Sequence, residues 1–286
     1  MQPNITSLSI ISAGARSYSF QQPATSCQQI AEENPSSLPG YHWVLNAHNS
    51  PTLVYCTVST QCCSSTGGWM RIAHINMTNP HQYCPASFRQ INTPKRACGR
   101  TTTSGGCNSV PFSSSGVQYQ KVCGRIIGFQ DGSPSGFYTP RTGNNIDSAY
   151  IDGISLTHGE DPRKHIWSFA NALQEELGYG SNQHICPCTN RLSTMQRYIP
   201  SFVGSDYLCD SGTRTTGRVG RLYTDDPLWD GQGCEVQSTC CTFNSPPWFC
   251  KTLPQPTSDN IEVRVCADEG YANEDSPFEL IEIYVQ

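Results

Sequence analysis

Sixteen cysteines, spread from Cys27 to Cys266, constrain this chain more than any other feature. Reducing compartments keep thiols apart, so a cytosolic protein rarely accumulates such a set. Zinc is the rival use of clustered cysteines, but it takes CxxC-type pairs, two at a time. This chain instead has two adjacent pairs, Cys62–Cys63 and Cys240–Cys241, and one Cys186-Pro187-Cys188 step. Neighbouring cysteines bond each other only with strain, so each is expected to reach a different partner. The full set is therefore read as disulfide-forming: Cys27, Cys56, Cys62, Cys63, Cys84, Cys98, Cys107, Cys123, Cys186, Cys188, Cys209, Cys234, Cys240, Cys241, Cys250 and Cys266. Each bridge contributes about 2–4 kcal/mol by restricting the unfolded chain, and spacing alone leaves the connectivity open. Such stapling lets a chain tolerate long loops, and it places this one in an oxidising, extracellular setting.

The other bounds are negative. A net charge of −5 and no basic stripe argue against a nucleic-acid partner. No stretch approaches the ~20 apolar residues of a membrane-spanning helix. Ser7-Leu8-Ser9-Ile10-Ile11 is too short and polar for a signal core, so a secretion signal is expected to have been removed or to lie outside this numbering. Asn4-Ile5-Thr6 and Asn76-Met77-Thr78 are glycosylation triplets, which fits secretion.

Period-2 alternation dominates the readable segments. Residues 41–45, 52–58 and 67–75 form three strands separated by short turns, an antiparallel meander. Further strands are expected at 122–129, 149–156, 261–265 and 278–285, the last two with one buried and one solvated face. One helix is expected from Asp161, with Pro162 in its first turn, Ile166, Phe169, Ala170 and Leu173 on one face, and Gly178 at its end. Residues 76–120 and 179–260 read as loop-rich. Residues 1–26 read as an arm or peripheral strand, and 27–286 as one domain closed by its C-terminal strand. The predicted class is α+β: antiparallel sheets with few short helices, loop-rich and disulfide-stabilised.

Cys27, then Pro39-Gly40-Tyr41-His42-Trp43, Val54-Tyr55-Cys56 and Gly67-Gly68-Trp69, resembles the opening of fibrinogen C-terminal-like domains over about residues 27–75. The intelectins, lectins with a similar Gly-Gly-Trp opening, are a more distant resemblance. The chain as a whole also resembles, more closely, a group of secreted marine-invertebrate proteins of no established activity, which share the His165-Ile166-Trp167 and Asp225–Gly231 segments. The resemblance implies a Cys27–Cys56 disulfide, calcium, and binding of glycans or glycoproteins. Near the C-terminus, Asp225-Asp226-Pro227-Leu228-Trp229-Asp230-Gly231, then Cys240-Cys241 and Trp248-Phe249-Cys250, is similar in order to that family's calcium loop and ligand pocket. The family's stretch after the last cysteine is replaced here by Thr252-Leu253-Pro254, and residues 80–220 match nothing in it.

The residues themselves allow that chemistry. Calcium takes six to eight oxygen ligands, and Asp225, Asp226 and Asp230 bring three carboxylates into six residues. The plain alternative is a solvated acidic turn. Trp229, Trp248 and Phe249 offer faces for a sugar and Asn244 a polar contact, with core packing as the alternative for Trp248 and Phe249. His158 and His165 read as packing or surface residues before metal ligands, and Glu279 and Glu282 as a solvated face. Three readings follow. The first is a secreted, calcium-dependent carbohydrate-binding or pattern-recognition protein. The second is a structural or adhesive protein whose partner is another copy of itself. The third is an extracellular enzyme of unrecognised type, which no GxSxG or HExxH motif supports.

Overall fold

Alternating apolar residues build this molecule. The structure, a computed structural model, describes residues 17–64, 66–92, 96–100, 104–128, 151–160, 163–172, 248–269 and 278–286. Its elements are α1 (Cys27–Glu33), β1 (Gly40–Leu45), β2 (Pro51–Ser59), β3 (Gly67–Asn76), β4 (Phe88–Ile91), β5 (Ala97–Arg100), β6 (Ser104–Phe112), β7 (Tyr119–Gly128), β8 (Ile151–His158), β9 (Lys164–Ala172), β10 (Phe249–Thr257), β11 (Ile261–Glu269) and β12 (Phe278–Val285). All pairs between these described strands are antiparallel. With one short α-helix among the described residues, the fold is the α+β, disulfide-stabilised, loop-rich class that the sequence predicts.

The meander β1-β2-β3 continues into β12, which also pairs with β7, and β7 with β10. The β4–β5 hairpin joins this first sheet where Cys98 faces Phe278. The second sheet runs β6-β11-β8-β9. One face of each supplies a common core: Val44, Val54, Ile75, Val122 and Ile281 from the first, Ile154, Leu156 and Val263 from the second. Trp167 of β9 stacks on Phe249 of β10 across that core, ring centroids 5.3 Å apart at 21°. Such a pair adds about 0.5–1.5 kcal/mol beyond the area it buries.

Two glycines are fixed by close approach. A Cβ on Gly124 would lie 2.3 Å from the Glu282 carbonyl and 2.8 Å from the Phe249 ring. One on Gly68 would lie 1.9 Å from the Cys27 carbonyl, because α1 packs directly on β3. The Ser26 side chain accepts from the Gln29 N–H and starts that helix, which buries Cys27 and Ile30.

Four disulfides join described residues. Cys27–Cys56 ties α1 to β2, the pairing that the family resemblance implies. Adjacent Cys62 and Cys63 reach different partners as expected, Cys123 on β7 and Cys250 on β10. Cys63 turns through φ 52° to do so. Cys84–Cys98 closes the β4–β5 region. Register sets Cys107 opposite Cys266; the remaining six cysteines lie outside the described residues. No described helix is long and apolar enough to cross a membrane.

Several expectations are corrected. Over its described residues the helix proposed from Asp161 is instead strand β9, paired with β8 through Ile151↔Ala172 to His158↔Lys164, while Asp161, Pro162, Leu173 and Gly178 lie outside the described residues. Ile166 and Trp167 suit a sheet face, and ladder pairing overrides the weak helical pattern. The loop-rich reading of 76–120 misses β4, β5 and β6, and that of 179–260 misses β10. Strand β10 carries Pro254 and Pro256, which an edge strand tolerates because one row of N–H groups needs no ladder partner. Strand β12 is buried on both faces, since β3 and β7 flank it and the neighbouring side chains cover it. Helix α1 went unread. Ala24, within 1–26, forms a parallel bridge to Val44 and is fully buried.

Candidate functional site

The side of the first sheet turned away from the core carries a connected polar-aromatic arrangement. It follows from strand alternation. Val54, Cys56 and Met70 point into the core, so Tyr55, Trp69 and Arg71 point outward. Tyr41 stands opposite Tyr55 in the β1–β2 register. Their rings meet edge to face at 5.3 Å. The Arg71 guanidinium lies 3.6 Å over the Tyr55 ring, a cation–π contact that orients both.

The arrangement extends across β12 and β7. Arg125 forms an ion pair with Glu282 and lies 5.1 Å over the ring of Trp248. Trp248 packs at 6.0 Å against Tyr284. Tyr284 in turn joins Trp69 and the Cys62–Cys123 bridge in a small cluster under this face. Glu282 is only 9% exposed. The solvated-face reading of Glu282 is therefore corrected: its carboxylate is an interior counter-ion for Arg125. His74 sits 3.7 Å from Glu282. Burial, and then the nearby Arg71 cation, push His74 below its ordinary value of 6.5, so its imidazole is neutral at physiological pH. Burial raises the Tyr284 phenol to about 12, which keeps it protonated.

A cleft opens in this face because two strands splay. The β2–β3 ladder pairs only Cys56–Ser59 with Met70–Gly67, although β2 starts at Pro51 and β3 runs to Asn76. The wedge left between them measures about 280 Å³ and is lined by Tyr41, Leu53, Tyr55, Arg71 and His74 among others. Tyr41 is 67% and Leu53 49% exposed, so large apolar groups stand at its mouth in contact with solvent. Ring faces beside guanidinium and imidazole N–H groups make a surface that can stack on the apolar side of a polyol ring and hydrogen-bond its rim.

A larger concavity of about 650 Å³ lies at one end of the second sheet, lined by Glu160, Asp259, Asn260 and Glu262 among others. Among the described residues it has no aromatic wall, and two of its carboxylates, Asp259 and Glu262, have partners within the fold. The Asp259 carboxylate accepts from the buried His158 at 2.9 Å, and its backbone N–H donates to the Thr257 hydroxyl at 3.1 Å. The His158 hydrogen bond, helped by Thr257 and outweighing the opposing effect of burial, lowers the Asp259 carboxyl below its ordinary value. Arg163 pairs with Glu262 at 2.9 Å.

Of the residues singled out in the sequence, Asp225, Asp226, Asp230, Trp229, Asn244 and Asn4 lie outside the described residues. Among the described residues no group of three or more His, Cys, Asp and Glu is placed to hold a metal. Trp248 belongs to the outward face. Phe249 lies in the core, 7% exposed, beneath Trp167. Asn76 ends β3, where its side-chain oxygen accepts from the Thr78 hydroxyl at 2.6 Å. His158 and His165 sit on paired strands rather than meeting across a helix start. Tyr41, Tyr55, Arg71 and His74 were missed as site residues. Their signal was present: period-2 alternation leaves large aromatic residues on the solvent side of a meander, where small polar residues ordinarily suffice. Comparison with protein-family models, curated proteins and solved structures finds no match.

Proposed function

We propose that this chain is a secreted carbohydrate-binding, lectin-like or pattern-recognition protein, and that the outward face of the first sheet holds the sugar. One observation carries the reading: exposed Tyr41 and Leu53 beside Tyr55, Arg71 and His74, around a cleft of about 280 Å³. Aromatic rings that are not needed for the core, held by neighbours at fixed angles, give a stacking platform at low entropic cost. The four disulfides support an oxidising compartment. The opening segment's resemblance to fibrinogen C-terminal-like domains supports the same ligand class, and the Asn76 triplet fits a glycoprotein.

Calcium dependence belongs to the proposal through Asp225, Asp226 and Asp230. The protein is expected to be retained on an immobilised glycan panel, and Tyr41→Ala is expected to lose at least tenfold in retention without a change in thermal midpoint. EDTA is expected to lower both retention and midpoint. Retention on no glycan contradicts the sugar reading. Retention and stability that both ignore EDTA contradict the calcium part alone.

A further inference from the structure

The cleft between β2 and β3 has a charge that its aromatic walls do not require. Two guanidinium groups, Arg71 and Arg125, stand on this face against one carboxylate, Glu282. Arg125 is matched to Glu282. Among the described residues Arg71 has no carboxylate partner, and it lies over the face of Tyr55. His74, the next polar group along β3, brings no compensating negative charge. An arginine that lines a cleft, stacked on a ring, presents its N–H fork at the edge of the plane, the geometry that takes a carboxylate through two parallel hydrogen bonds. The chain as a whole carries −5, so this local excess of positive charge runs against its background.

Building on the glycan reading above, we infer that the cleft selects acidic sugars, with the sugar carboxylate on Arg71 and the ring against Tyr41 and Tyr55. The size agrees. Sites for drug-sized ligands run to about 300–1,000 Å³, and a wedge of about 280 Å³ admits a single sugar ring rather than a longer buried chain. The second cavity is lined by Glu160, Asp259 and Glu262, carboxylates where the first presents Arg71.

The test is calorimetric titration of the full chain with glucuronate and glucose, and with galacturonate and galactose, each pair differing at C6. The acid is expected to bind at least tenfold more tightly than its neutral partner in one pair, which corresponds to about 1.4 kcal/mol. Arg71→Gln is expected to bring that ratio to about one, and Arg71→Lys to restore part of it, because the charge returns without the fork. Unchanged thermal midpoints in both variants separate this effect from misfolding. Acid and neutral sugars that bind alike, or a preference that survives Arg71→Gln, overturn the inference while the glycan reading stands. No binding of any of the four sugars, together with no retention on the glycan panel, overturns both.

Discussion

Removing the Cys63–Cys250 bridge by a double alanine substitution isolates what long-range cross-linking does for this fold. The bridge spans a sequence separation of 187 residues and joins the turn before β3 to the edge strand β10. The chain-entropy relation gives about 5 kcal/mol for a loop of that length, and about 3 kcal/mol for the 14-residue Cys84–Cys98 loop. The adjacent Cys62–Cys123 bridge offers a shorter path through the unfolded chain, but the logarithm takes off only about 0.3 kcal/mol. Native-state packing adds little at Cys250, which is exposed. At Cys98, fully buried with its sulfur 3.4 Å from that of Met77, alanine opens a small void that costs about 1 kcal/mol or less. The longer bridge should therefore still cost more to lose. Equilibrium urea unfolding without reductant measures both variants, and the m-value should rise for Cys63→Ala/Cys250→Ala as its unfolded chain expands. Equal losses, or a larger loss for the Cys84–Cys98 variant, would refute the restriction of the unfolded chain as the source of stability.

Other perturbations follow from single contacts. Gly68→Ala is expected to abolish folded, oxidised protein in a non-reducing chromatographic assay, because its methyl would overlap the Cys27 carbonyl. Trp167→Ala should destabilise by about 3–5 kcal/mol. Trp167→Phe should cost far less by the same urea assay, since it keeps the stack on Phe249 and the buried indole N–H has no partner among the described residues. Asp259 ionises more readily in the fold than in the unfolded chain. Its contribution is complete above the ordinary carboxylate value of 3.8 and disappears as pH falls through the lower folded value. The stability gap between wild type and Asp259→Asn should accordingly be present at about pH 6 and close in strong acid; a gap independent of pH would remove the His158–Asp259 hydrogen bond from the account.

Much of the sheet structure was legible because strand alternation is a local signal. β1, β2, β3, β7, β8, β11 and β12 coincide with runs read as strands from Val, Ile, Tyr and Trp, and the period of two is clearest in β11, at Ile261, Val263 and Val265, and in β12, at Ile281, Ile283 and Val285. What local pattern could not reveal was set by partners distant in sequence. β9 has apolar residues at helical spacing, and only pairing with β8 makes it a strand. β10 holds two prolines and reads as loop until β7 supplies a neighbour. α1 is seven residues long, too short for a periodic signal, and is held by Ser26, Cys56 and β3. The candidate site divides the same way. Trp248 was visible as an aromatic beside a cysteine, whereas the Tyr41–Tyr55–Arg71 contact depends on a splay between β2 and β3 that no residue in either strand announces.

Backbone amide shifts of isotope-labelled protein, titrated with the sugar that the panel retains best, put the proposed binding surface to its most direct trial. Saturable shifts centred on Tyr41, Leu53, Tyr55, Arg71 and His74 are the predicted outcome. Shifts centred instead on Glu160, Asp259 and Asn260, or a spectrum that the sugar leaves unmoved, would contradict it.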